Sequence, residues 1–310
     1  MKTRFVVSCL LMFCVVAVLP IASAQGYPGH EADLEGSRSN SSLIIADLRP
    51  KLFGDLPPSE AAIYATVRFD VSPEDKIMNA YAYRNAGIRR ITFTEAMGRA
   101  IKLNVDALLM EQLYHKTNFM GEYMYYVCTR YARNSERYAQ GLSPERIASP
   151  YERAHMSDAD FNEFYSDKDV NSARAKLVGG AFAFLLAHEM GHHVLGHVDH
   201  PTNDKEERRN MEAAADAWAI DLLLKKKVSP VSGIVPMLFF YYTTRHPIAS
   251  EVYKDHPADA RRLLAMYEGA NDRLPSFRAS IEASGQNYED VRKGVSQAIV
   301  LIKQEIKVDE

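Results

Sequence analysis

The sequence predicts a mainly helical α+β chain with one small antiparallel sheet. Three stretches predict it. Leu177 to Ala187 are apolar nearly all round, as a helix buried in a core must be, and they run directly into His188-Glu189-Met190-Gly191-His192. A second helical stretch, MEAAADAWAI, carries Glu212 and Asp216 one turn apart on one face. Upstream, Asn79 to Phe93 reads as a β-hairpin, with Asn85-Ala86-Gly87 as its turn and Ile88 to Phe93 as its return strand.

From the start of the chain, residues 1–24 read as an export signal. Lys2 and Arg4 are its basic start, Phe5 to Leu19 its apolar run and Ala22-Ser23-Ala24 its cleavage site. That run ends at Pro20 and is shorter than the roughly 20 residues a spanning helix needs. Neither Cys9 nor Cys14 follows a lipobox. Cleavage removes two basic residues, taking the formal charge from −3 to −5 (−3 − 2), and leaves Cys128 alone, so no internal disulfide is expected. Val231 to Tyr242, interrupted by Pro236, is too short to span a bilayer, so no transmembrane segment is expected in the mature chain.

Gln25 to Ser42 are rich in Gly, Ser and charge and read as a flexible lead-in. They belong to an N-terminal segment, 25–57, ahead of a single domain over 58–310. Folded sequence is expected from about Leu43, Pro57-Pro58 marks a turn, and Ala61 to Val71 reads as a strand. Tyr114 to Tyr138 hold six Tyr with Arg130, Arg133 and Arg137, a mixture that can bind nucleic acid. Yet Arg99 to Arg153 carry eight basic and six acidic residues without a cluster of one sign. That balance predicts packed amphipathic helices and no nucleic-acid partner. Ser157 to Asp169 are acidic but lack the Gly of a calcium loop, and read as a capped helix start and a solvated loop.

His188 and His192 stand at i and i+4, so both imidazoles reach one metal ion, and Glu189 stands where a carboxylate takes a proton from water at that metal. This is the HExxH arrangement of zinc peptidases, and one Zn2+ per chain is expected. Catalytic zinc needs a third protein ligand and an open fourth position. The HExxHxxGxxH pattern fails, because Leu195 and Val198 occupy the required Gly and His positions. Cys128 has no ligand spacing around it. Glu212 remains, twenty positions beyond His192 (212 − 192), with Asp216 placed to accept an N–H from a ligand imidazole. His197, His200 and His246 stand behind Glu212 as reserve ligands.

Gly196 stops the first helix. Asp204 with Glu207 caps the second, and its acids at the start and Lys225 to Lys227 at the end suit the helix dipole. Ser229-Pro230 opens another helix. His246-Pro247 and His256-Pro257 lie in a connecting segment, a basic helix follows from Ala258, and Phe277 to Ile306 form one or two terminal helices.

HEMGHHVLGH, EAAADAWAIDLLLKKKVSP, DHPADARRL and NAYAYRNAGIRRITFTEAM resemble the signatures of the HtpX-like and CAAX-prenyl-protease-type zinc metalloendopeptidases, over about Asn79 to Leu264. The resemblance implies a zincin-like (gluzincin) domain with zinc between two packed helices. It also implies an edge strand that pairs with an extended polypeptide substrate. His256 and Arg262 match the family's HP-and-Arg motif, which implies oxyanion stabilisation. Two other roles stay open for His256, a fourth zinc ligand in a latent state and an ordinary surface histidine. The segment 103–171 stands where family members pass quickly to the metal helix, and is expected to be a helical insertion. The expected activity is endopeptidase action on unfolded or damaged proteins of an exported compartment, a bacterial periplasm or the medium. A thermolysin-like secreted protease is one rival, though 25–57 is short for a propeptide. A zinc-holding, chaperone-like module that does not cleave is the other, and the intact Glu189 argues against it. Nothing in the sequence specifies an oligomeric state.

Overall fold

The computed structural model describes residues 34–73, 77–116, 118–228, 233, 235–237, 259–283 and 287–309. In chain order these form helix α1 (Leu34–Phe53), α2 (Pro58–Tyr64), strands β1 (Val67–Ser72), β2 (Ala80–Asn85) and β3 (Ile88–Thr94), and then α3 (Glu95–Leu113). Helices α4 (Phe119–Ala139), α5 (Pro150–Arg153), α6 (Asp158–Ser166), α7 (Lys168–Val194) and α8 (Lys205–Lys225) follow. After α9 (Asp259–Arg273) and a 3-10 turn come α10 (Arg278–Ala283) and α11 (Tyr288–Asp309). The chain is α+β and mainly helical.

The N-terminal region departs from the sequence expectation at two places. Helix α1 begins at Leu34, inside the stretch expected to be flexible. Its second half buries Ile44, Ile45, Leu48, Leu52 and Phe53, and that apolar face anchors it. Pro58 then opens α2, where a missing N–H costs nothing, so Ala61 to Tyr64 are helical and the strand starts only at Val67.

The hairpin forms as expected. Ala86 (φ 48°) and Gly87 (φ 81°) make a two-residue loop with both φ positive, the backbone twist that suits tightly joined strands. The sheet, however, is mixed. Its order is β1-β3-β2, with β1 parallel to β3 and β2 antiparallel to it. The reason lies in the other edge of β2, which faces the cleft described below, leaving β1 only the far side of β3.

Thr94 ends the sheet and starts α3, its side chain accepting the Met97 N–H at 3.2 Å. Helix α3 is buried on nearly every face and packs on α1, α4 and α7. The segment 103–171 thus divides. Its first part belongs to this core helix, and the expected amphipathic character appears in α4, which buries Met120, Tyr123, Met124, Val127 and Tyr131 on one face. Deep between α3 and α7, Arg174 Nε donates to Asp106 at 2.5 Å and Tyr165 Oη donates to the same carboxylate at 3.0 Å. The acids of 157–169 act as caps: Ser157 and Asp160 form a capping box for α6, and Asp167 accepts from Asp169 and Val170 at the head of α7. Residues 177 to 191 of α7 are continuously buried, as their all-round apolar composition requires. Among the described residues no helix is long and apolar enough to cross a membrane.

Candidate metal centre

Helices α7 and α8 approach closely because small residues meet at their crossing. A Cβ on Gly191 would stand 3.3 Å from both the Cα and the carbonyl oxygen of Ala215. This contact sets Glu212 opposite the two histidines. His188 Nε2 and His192 Nε2 are 3.2 Å apart, and the Glu212 carboxylate lies 3.3 Å from the first and 3.4 Å from the second. The three could hold a metal ion, with one ligand atom from each lying within 4.8 Å of the others.

The spacing can be tested against a particular ion. Four donors at zinc's Zn–N distance of about 2.0–2.1 Å define a tetrahedron with edges of about 3.3 Å. The donor set therefore fits zinc in type, number and spacing. His188 Nδ1 lies 2.9 Å from Asp216 Oδ1, the contact by which a carboxylate fixes a ligand imidazole's tautomer. Arg262 in turn grips Asp216 with Nε at 2.6 Å and Nη2 at 2.9 Å. Its Nη2 is 4.0 Å from Glu212.

Charge in this cluster is unevenly shared. Burial would lower the His188 pKa, but Asp216 and Glu212 outweigh it and hold the ring up at about 10. His192 is driven the other way, to about 3, by burial and then by His188. For Asp216 burial is overruled by Arg262 and His188, leaving the carboxyl at about 2. Glu189 is pushed up to about 7 by burial, against the pull of His188, and accepts the backbone N–H of Ala82. A carboxyl near neutrality suits a general base.

That last contact joins the metal helix to the sheet. Asn79 and Thr94 form a hydrogen-bonded pair, Thr94 N–H donating to the Asn79 carbonyl at 2.9 Å. By antiparallel alternation, Tyr81 and Tyr83 also face β3, whereas the N–H and C=O groups of Ala80, Ala82 and Arg84 point to the opposite side. There a cleft of about 560 Å³ runs between β2 and the helices, lined by Tyr81, Tyr83, Glu189, Val198, Met211 and the donor set, among others. Its walls are tied together. His193 Nε2 donates to the Arg90 carbonyl at 2.9 Å, Asp199 takes Arg84 at 2.6 Å and Arg89 at 2.5 Å, and Phe93 stacks on Phe182.

Of the residues singled out in the sequence, His188, Glu189, His192, Glu212, Asp216 and Arg262 come together around this cleft. Arg262, expected at the oxyanion, has a buried guanidinium engaged by Asp216, so its geometry is that of a positioning residue. His256 and His246 lie outside the described residues, as do the export signal and the Ser229-Pro230 helix start. One residue took only a minor place in the sequence reading: His197, whose Nδ1 is 3.0 Å from His192 Nδ1. The signal for it was Gly196, because a helix stopped by a left-handed glycine folds the next residue back on its last turn.

The family model for Peptidase U49 matches residues 104–277, more than half of the sequence. The chain belongs to the Peptidase U49 family. The match covers the donor set, Glu189, Asp216 and Arg262, takes in most of the 103–171 segment, and leaves the hairpin outside. No curated protein and no solved structure matches the chain.

Proposed function

We propose that this peptidase-family chain is a zinc-dependent endopeptidase, with His188, His192 and Glu212 as the metal ligands and Glu189 as the general base. The observation that carries the reading is the tetrahedral spacing of the three donors, 3.2–3.4 Å, directly beside Glu189 and an open strand edge. When bound, zinc supplies a Lewis acid that polarises a carbonyl and acidifies water. Glu189 takes the proton of the attacking water and delivers it to the leaving amine. Asp216 orients His188, and Arg262 keeps Asp216 ionised and in place. The outward backbone groups of Ala80 and Arg84, with the carbonyl of Ala82 (whose N–H is held by Glu189), receive an extended polypeptide as an added strand, which gives affinity without one required sequence. An unfolded protein meets that demand better than a folded one.

The export signal and the HtpX-like resemblance extend the proposal to unfolded or damaged proteins of a bacterial periplasm or of the medium. The test is digestion of reduced, unfolded casein by the purified protein, with a chelator and with zinc restored. Cleavage that stops with the chelator and returns with zinc is expected. Cleavage indifferent to the chelator contradicts the zinc mechanism.

A further inference from the structure

We infer that His197 is a positioning residue for the metal centre: it accepts the Nδ1–H of His192 and so holds the His192 Nε2 lone pair on the metal. The inference rests on the reading of His188, His192 and Glu212 as ligands, and adds to it a residue outside that set.

Its basis is the way α7 ends. Gly196 has φ +75°, its N–H donates to the His193 carbonyl at 3.2 Å, and the His197 N–H donates to the His192 carbonyl at 2.9 Å. These are the two bonds of a Schellman motif, in which the second residue past the cap folds back onto the third residue from the helix end. That contact is commonly apolar. Here both positions are histidine, so the same turn that stops the helix brings His197 onto His192, with ring centroids 5.1 Å apart and Nδ1 to Nδ1 at 3.0 Å.

Two ring nitrogens at that distance share one proton, and the donor set decides which ring carries it. His192 Nε2 faces His188 Nε2 and the Glu212 carboxylate at 3.2 and 3.4 Å, where a ligand must present a lone pair. A neutral imidazole has a single N–H, so in His192 it sits on Nδ1. His197 Nδ1 is then the acceptor, and the proton of His197 is on Nε2. Each ligand histidine thereby has its own orienting partner. Asp216 serves His188 across the helix pair, and His197 serves His192 from the cap. Gly196 matters here through its backbone, since a side chain at φ +75° would strain the turn that delivers His197.

The test uses the full chain and zinc as the probe. Zinc affinity is read by competition with a chromogenic chelator for wild type, His197→Leu and His197→Asn. Leucine removes the acceptor, whereas asparagine places Oδ1 near the position of Nδ1. His197→Leu is expected to lose about 10–100-fold in zinc affinity, the usual effect of removing a ligand's partner, and His197→Asn to stay near wild type. Leucine at wild-type affinity, or asparagine falling as far as leucine, overturns the inference. Should His197→Leu fail to fold, long-range proton–nitrogen NMR of the zinc-bound wild type decides it. A protonated His192 Nδ1 facing a bare His197 Nδ1 is expected, and the reverse tautomers overturn it. A wild-type chain that takes up no zinc refutes the metal reading itself, a result distinct from all of these.

Discussion

Arg262 holds Asp216 in a buried two-point grip, Nε to Oδ2 at 2.6 Å and Nη2 to Oδ1 at 2.9 Å, and the same Oδ1 lies 2.9 Å from His188 Nδ1. Both members are 6% exposed or less, so water cannot replace a lost partner. Arg262→Met is expected to destabilise the fold by about 3–5 kcal/mol, the cost of stranding one charge of a buried pair. Arg262→Lys keeps the charge but not the planar fork, and should fall between that variant and wild type. Urea unfolding measures the stability and chelator competition the zinc affinity, which should fall in the same order. A methionine variant with wild-type values for both would show that Arg262 positions nothing.

Gly191 fixes how near α7 and α8 can come. In Gly191→Ala the new methyl would stand 3.3 Å from Ala215 backbone atoms and from Trp218 Cε3, so the helices must separate slightly. Overpacking costs about 1–3 kcal/mol, and the better helix propensity of Ala returns up to about 1 kcal/mol. The net loss of stability should therefore be modest. Zinc affinity should suffer more, because Glu212 rides on α8 and both histidines on α7. Full zinc affinity in a folded Gly191→Ala protein would contradict this account of the crossing.

Lys102 carries a pH dependence remote from the metal centre. Burial pushes its ammonium from the ordinary 10.5 down to about 8, against Glu95 and Asp106, which pull it up. Between those two values the unfolded chain binds more protons than the folded one, so stability rises with pH across that window. At about 1.4 kcal/mol per tenfold change, the gain approaches roughly 3 kcal/mol. His188, held at about 10 without metal, lowers stability with rising pH over the same window, so the Lys102 part is read as a difference. In urea unfolding of the metal-free protein near pH 8 and pH 10, the pH slope of stability should be more positive in wild type than in Lys102→Met. Equal slopes would contradict it.

Legibility in the sequence followed the range of the interactions. His188 and His192 are read from one helical face, with Glu189 adjacent in sequence, and Glu212 with Asp216 from another, because i, i+4 spacing is local geometry. The hairpin was legible for the same reason: Gly87 marks its turn. Ala61 to Tyr64 misled, since apolar residues so close to Pro58 satisfy a helix as well as a strand, and only packing decides. The parallel β1–β3 pairing was invisible because it depends on which edge of β3 the cleft leaves free. The burial of α3 escaped for a related reason. Lys102, Asn104 and Asp106 are polar residues in the buried part of that helix, and a long-range partner such as Arg174, paired with Asp106, makes such burial tolerable. His197 sits at i+5 from His192, off the helical face, so a helical repeat could not pair them and the cap geometry did.

The central claim is that Glu189 acts as base beside a zinc held by His188, His192 and Glu212. Glu189→Gln tests it most directly, because the amide nearly preserves shape and cannot take the proton. Zinc content and the rate of cleavage of an unfolded protein are measured on the same preparation. One zinc per chain is expected, with the rate reduced by about 10²–10⁴-fold. Cleavage at near the wild-type rate by the zinc-loaded variant would contradict the account.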